Sequence, residues 1–394
     1  MAKFRERVGG WPWSMLGLHF ATTVFNAYAR SVLGFTAQVA RITNKTNKAE
    51  EEGLRRAAPG PGVWATKEDL QHLHCYGMPR SFNSLEAVAQ AAKLRMCTNE
   101  NVKNGGLKLS ECVERISAAG RSLTFPMRAA WWAEWRQGSL PNILSENKQE
   151  MAAKGISGQD VLQDLTAQLR GSHTEAEAER RARKKLQKAI CKKIQEAESY
   201  QTHYRVRHKL ERWRLPGLPR QTADRYEKHM LQVSRTAPPR VTAAVISTAW
   251  NRWCTARRFQ ARDSPANICQ LGCGGDAEDS IEHYCRCSVI TECHKAMLGI
   301  QPQWLLPLWI GTHDKCKNED VRIRGAVGAY AAYKTTNMAR HMGGITSEAA
   351  KRAFHQAVSD ATAGSATLTK FFKKLHARRH EDQRSPKRPR RAQH

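Results

Sequence analysis

The sequence predicts a mainly α, multi-helical fold with a small cysteine-rich insert and a basic tail. Three observations predict it. Apolar residues recur at intervals of three or four over most of the chain. No region shows the run of short alternating segments that a sheet requires, and no internal repeat is evident. The last residues lose all periodicity while holding most of their charge.

Residues 1–150 read as a helical domain. Val24, Ala27, Ala29, Val32 and Leu33 suggest a first apolar face, and a polar stretch over 44–52 follows. Pro59-Gly60-Pro61-Gly62 is a loop by composition. Beyond it, Trp64, Leu70, Leu73 and Cys75 lead into Leu85, Val88, Ala89, Ala92 and Leu94 at helical spacing. Trp131 and Trp135 fall on one helical face and read as core anchors, with base-stacking platforms the alternative.

Residues 151–235 read as a long basic helical arm. Thr174 with Glu177 three residues later has the form of a capping box. Leu186, Ile190, Ile194, Ala197, Tyr200 and Tyr204 then form a narrow apolar stripe, and the helix should stop at Leu215-Pro216-Gly217. Between residues 173 and 220 there are fourteen Lys/Arg against six Asp/Glu. That surplus suits either a solvated helix or an arm lying along a phosphate backbone.

Residues 236–300 should hold one more packed helix and then the cysteine cluster. Val241, Val245, Ala249 and Trp253 recur every four residues, with Ile246 and Trp250 alongside. The segment 301–369 reads as C-terminal helices: one over 321–342 closed by Gly343-Gly344, another capped by Thr346 and running through Val358. From Lys370 to the end there are ten Lys/Arg and two acids, and disorder is expected over 370–394. The cluster at 387–391 has the composition of a nuclear import signal or of a solvated tail.

Composition narrows the partners. Sixty-four Lys+Arg against thirty-six Asp+Glu give a net charge of +28. A surplus that large repels itself unless a polyanion is near, which makes nucleic acid, RNA or DNA, the expected partner. Membrane is not expected, because no clean apolar run of about 18 residues is present. No small-molecule substrate is expected either. At the N-terminus Lys3, Arg5 and Arg7 precede an apolar stretch, and Ala27-Tyr28-Ala29 has the form of a signal-peptidase site. Pro12, His19, Thr22 and Thr23 interrupt the stretch, so it reads as an amphipathic helix docked on the core. Six of the eleven cysteines are scattered singly, at 75, 97, 112, 191, 254 and 316, and five crowd between Cys269 and Cys293. Such clustering fits metal binding in a nuclear or cytoplasmic protein better than a disulfide framework.

The cluster supplies ligands in pairs, as Zn2+ requires of short loops. Cys269 and Cys273 form one pair, with Gly272, Gly274 and Gly275 permitting a tight turn. His283 and Cys287 are four apart, so one helical turn would place both on the same face. Asp276, Glu278 and Asp279 suit a solvated loop between the pairs. The fourth ligand stays open between Cys287, which is preferred, and Cys285, with Cys293 more distant. A second ion on Cys293, His294, His313 and Cys316 is conceivable. Four protein ligands would leave no position for an activated water, so the role expected is structural.

Cys269-x3-Cys273-x9-His283-x3-Cys287 resembles the Cys-Cys-His-Cys knuckle that follows the reverse transcriptase in non-LTR (LINE-type) retrotransposon polyproteins. Ala249-Trp250-Asn-Arg-Trp253 before it and 281–287 around it carry most of the similarity. The stretch from Trp64 to Met96, with Met78-Pro79-Arg80-Ser81-Phe82, is similar to the helical region ahead of that knuckle. The last spacing departs from the commoner His-x4-Cys. The resemblance implies the polymerase-distal part of such a protein, a fragment or a domesticated remnant. It carries over no catalytic residue, since the chain has no Asp-Asp dipeptide and, after Cys287, no nuclease-like carboxylate cluster with a lysine.

The function this implies is nucleic-acid binding through a structural zinc knuckle and basic helices. Arg252, Arg257, Arg258, Arg262 and Arg286 are the candidate phosphate contacts, and Tyr284 is the candidate base-stacking residue. The competing readings are a nuclease or a part of a reverse transcriptase whose catalytic domain lies upstream, and a zinc knuckle that binds protein.

Overall fold

In the computed structural model the described residues are 1–38, 40–98, 139–171, 174–198, 200–259, 267–274, 276–300 and 303–384. The expectations for Trp131, Trp135, Arg262 and 387–391 lie outside them. Among the described residues the fold is mainly helical, and the only extended pairing is one antiparallel bridge between Ile268 and Glu278.

In chain order, α1 (Ala2–Gly9), α2 (Trp13–Val24), a π-helical turn (Phe25–Ala29), α3 (Arg30–Thr36) and α4 (Asn44–Ala57) come first. Next are α5 (Lys67–Gln71), α6 (Leu85–Thr98), α7 (Ser139–Ala153), α8 (Gly158–Arg170) and α9 (Glu175–Ala197). Then come α10 (Thr202–Glu211), α11 (Pro219–Thr236), α12 (Pro239–Ala249), α13 (Ala256–Phe259) and α14 (Ile281–Tyr284). The chain continues with α15 (Ser288–Cys293), α16 (Leu306–Trp309), α17 (Glu319–His341), α18 (Ser347–Ala363) and α19 (Ala366–Arg384). None of these helices is long and apolar enough to cross a membrane.

The chain divides into two compact units rather than into the five segments read from composition. Unit 1 comprises Met1–Leu16, Phe20–Ala58 and Phe82–Tyr200, and unit 2 comprises Gly17–His19, Pro59–Ser81 and Gln201–His394.

In unit 1, α6, α7, α8 and α9 pack around one apolar cluster that includes Leu94, Met151, Leu162, Leu186, Ile190 and Ile194. Helix α9 buries Ala178, Ala182, Leu186, Ile190 and Ile194, one residue per turn, which is the period of a single helical face. Cys191 is buried beside this face, and most of the remaining surface is charged. Thr174 stands at the N-cap position of α9, but its side chain makes no capping hydrogen bond. The expected continuous helix to residue 215 breaks after Ala197, where Glu198 turns to extended backbone. Its apolar stripe has already ended there, because Ala197 is exposed and Tyr204 is 60% exposed. The N-terminal segment does fold as helix, with Phe4 of α1 edge-on to Phe25 and Phe25 edge-on to Phe82.

In unit 2 the central element is α17, which packs against α11, α12, α16 and α18. Its small residues let neighbours approach closely. A Cβ at Gly328 would stand 2.1 Å from the His294 ring. The ends of α17 and α18 follow the sequence: Gly343 and Gly344 adopt positive φ, and the Thr346 side chain accepts from Ala349 N at 3.3 Å. Helix α12 stops at Ala249, earlier than the spacing suggests, and Asn251 turns the chain with φ 54. Trp253 beyond it is still fully buried, stacked on Trp309 at 5.8 Å. Helix α19 continues to Arg384, so residues 370–384 are helical where disorder was expected.

Candidate metal centre

Two backbone hydrogen bonds tie off the loop that carries the first ligand pair. Cys269 N donates to Ala277 O and Asp279 N donates to Asn267 O, each at 2.7 Å. Within the loop Gly272 takes φ +62, and a Cβ there would lie 2.9 Å from Ser347 N and 3.0 Å from Ile345 O. Glycine is therefore required twice over, by dihedral and by space. Ile345 N donates to Gln270 O at 2.9 Å, so the loop rests on the turn between α17 and α18.

Ser280 caps α14 by accepting from His283 N at 3.1 Å, which places His283 in the last turn of that one-turn helix. The chain bends at Cys285, and Cys287 becomes the N-cap of α15. His283 and Cys287 thus sit on two successive short helices, not on one helical face, and still converge. The sulfurs of Cys269, Cys273 and Cys287 and a ring nitrogen of His283 all lie within 4.8 Å of one another. Cys273 Sγ is 3.7 Å from His283 Nε2. Tetrahedral bonds of about 2.3 Å to sulfur and 2.1 Å to nitrogen imply donor separations of roughly 3.5–3.8 Å. The donor set therefore fits a metal ion, and its three thiols with one imidazole form a group that could hold one.

Hydrogen bonding and charge favour a thiolate in this group. The Cys269 thiol donates to Cys287, which raises Cys269 and holds Cys287 well below the usual thiol range against the opposing effect of burial, with His283 also lowering it. A shared proton between two sulfurs is what an ion displaces on binding. Cys285 belongs elsewhere. It is fully buried, burial pushes its thiol well up, and its carbonyl accepts from Leu305 N at 3.0 Å. The fourth member of the group is Cys287.

The second conceivable set is not gathered among the described residues. His294 Nε2 accepts from the Trp309 indole at 2.9 Å, and His313 Nδ1 accepts from Lys315 N at 3.0 Å. Cys316 Sγ faces the Leu308 carbonyl at 3.9 Å.

Two candidate nucleic-acid contacts require correction. Tyr284 is fully buried, with its hydroxyl donating to Asp279 Oδ1 at 2.5 Å, so its ring has no face to offer a base. Burial, then the Asp279 charge, raises the phenol pKa and keeps the hydroxyl a donor. Arg252 is also buried; its Nε donates to Pro59 O at 2.8 Å and its guanidinium lies 4.7 Å over the Trp64 ring. It serves the core, not a phosphate. The others are more open. Arg257 is exposed but ion-paired to Glu278 at 3.4 Å and Glu282 at 3.7 Å. Arg258 is half-buried and donates to Pro61 O at 3.1 Å, and Arg286 is exposed above Trp304 at 5.8 Å.

Asp279 also differs from its reading as part of a solvated loop. It is 1% exposed, and besides Tyr284 it holds Ala256 N through Oδ2 at 2.7 Å. The neighbours Asp276 and Glu278 are exposed as expected. Ser280, a capping residue directly after Asp279, was the available signal that the chain turns inward there. Comparison with known protein families, with curated proteins and with solved structures finds no match to this chain.

Proposed function

We propose that this is a non-catalytic nucleic-acid-binding protein in which Cys269, Cys273, His283 and Cys287 hold a structural zinc ion, of the kind found after the polymerase in non-LTR retrotransposon proteins. The observation that carries the metal reading is the convergence of three thiols and one imidazole, two of the thiols on a loop seated against the α17–α18 turn. Borderline-soft donors in a closed set of four suit zinc, and a saturated ligand sphere leaves nothing to polarise a substrate. Support for the polyanion partner is the +28 charge. The chain's resemblance to retroelement knuckles adds the family.

Zinc content and filter binding of RNA and DNA across salt test both halves. The purified chain is expected to carry one zinc, lost in Cys273→Ser along with amide protection over 267–287. Its log–log salt slope is expected to be steeply negative. A flat slope overturns the polyanion reading, and unchanged protection in Cys273→Ser overturns the structural role of the ion.

A further inference from the structure

We infer that the groove along α9 in unit 1 is a binding channel for the phosphodiester backbone of a nucleic acid, an inference that rests on the nucleic-acid reading above. From Arg180 to Gln195 the sequence holds eight Lys/Arg and no acid. A solvated charged helix normally balances its cations at i,i+4, and the start of α9 does so: Arg181 pairs with Glu177 at 2.9 Å and Arg183 with Glu179 at 2.7 Å. The pattern is then interrupted. Lys184, Lys185 and Lys188 are exposed and have no carboxylate partner among the described residues, and pairing resumes only with Lys192 to Glu196 at 3.4 Å and Lys193 to Asp164 at 3.3 Å.

These lysines border a concavity of about 860 Å³ and not a convex face. Lys184, Lys188 and Lys192 stand along one edge of α9, successive ones about 6 Å apart along the axis. Arg30 of α3 and Arg95 of α6 line the groove with them, while Val88 and Leu165 add apolar surface from the rim of the core cluster. Arg30 is the deeply buried cation of this lining. It is 5% exposed, its Nη2 donates to Ser84 O at 2.9 Å, and its Nε is buried without a hydrogen-bond partner. The buried Glu50 answers its charge, so the cations left to meet an anion entering the groove are the exposed lysines of α9. Repeated phosphates meet that arrangement, because each lysine can take a separate phosphate while the apolar surface accepts sugar or base faces.

The test is a titration of the full chain with single-stranded RNA, single-stranded DNA and duplex DNA of one sequence. The triple variant Lys184→Ala, Lys185→Ala, Lys188→Ala is compared with wild type. The substituted residues are exposed on a helix, where alanine is well tolerated, so zinc content and melting temperature should not change. The variant is expected to bind about tenfold or more weakly near physiological salt, with a log–log salt slope shallower by about 2–3. Wild-type binding that the triple variant retains in full overturns the groove alone. Failure of the wild type to bind any of the three with a salt-dependent slope overturns the nucleic-acid reading together with it. Should the variant instead lose only its binding to phosphatidylserine vesicles, the groove would be a membrane contact and the proposal would fall.

Discussion

Asp279 carries a carboxylate to a place that water does not reach, and both of its oxygens are claimed. Oδ1 takes the Tyr284 hydroxyl and Oδ2 takes Ala256 N. Its neighbours Ser280 and His283 belong to the second half of the candidate metal group, so this acid positions that group without joining it. Tyr284→Phe removes the charged hydrogen bond and leaves Oδ1 unpaired. A loss of about 1.5–3 kcal/mol is expected, read from urea unfolding, with zinc content retained. A loss within a few tenths of a kcal/mol would show that Tyr284 contributes only its ring. The convergence of Cys269, Cys273, His283 and Cys287 into one group that could hold a metal ion was legible in the sequence, because thiols and an imidazole at paired spacings are a local pattern. Tyr284 and Arg252 were not, because their surroundings come from elsewhere in the chain: Trp64 lies beneath Arg252, and Trp253 stands 6.1 Å from Tyr284. Adjacency to a knuckle says nothing about which way a side chain faces.

At the scale of elements, α5 shows how a helix of five residues is kept in place. Thr66 and Asp69 form a capping box, and the same carboxylate receives Arg205 Nε and Nη2 from α10, both at 2.9 Å, with Lys209 Nζ at 3.6 Å. Asp69 is 1% exposed. Burial alone would raise its pKa, but Arg205, Thr66 N and Lys209 outweigh it and hold the carboxyl below its usual range. Asp69→Ala strands two cations and one cap, and should cost roughly 3–5 kcal/mol. Denaturant unfolding measures this; a cost under about 1 kcal/mol would mean that water already screens the network. Capping signals served the sequence reading well where the side chain acts on its own turn, as at Thr346. They failed where tertiary packing decided the end. Helix α9 stops when its apolar stripe stops, and α19 continues to Arg384 through residues with no clear period, after burying Leu368 and Phe372.

For the whole molecule, two buried histidines contribute to the response to acid. His229 meets the Trp309 carbonyl through Nε2 at 3.2 Å, and His294 accepts the Trp309 indole; burial lowers both to about 3. The unfolded chain protonates these rings near pH 6.5 while the folded chain does not, so it binds more protons between pH 6.5 and about 3. Their contribution is fully present above pH 6.5 and is lost on acidification, by up to about 1.4 kcal/mol per pH unit for each ring. His229→Gln keeps a donor for the Trp309 carbonyl and should cut that slope by about half; an unchanged slope between pH 6.5 and 5 would assign the acid sensitivity elsewhere. The helical class was legible at this scale because the period of the apolar residues is the period of the helix. The division into two units was not, since loop composition marks breaks in a chain and not which pieces pack together. The loop of Cys269 and Cys273 is pinned at Gly272 and Gln270 to the turn between α17 and α18. An ion bound there would add to the stability of that part of unit 2 by mass action; the folded fraction would then follow the free-metal concentration, and turnover would inherit a dependence on metal supply.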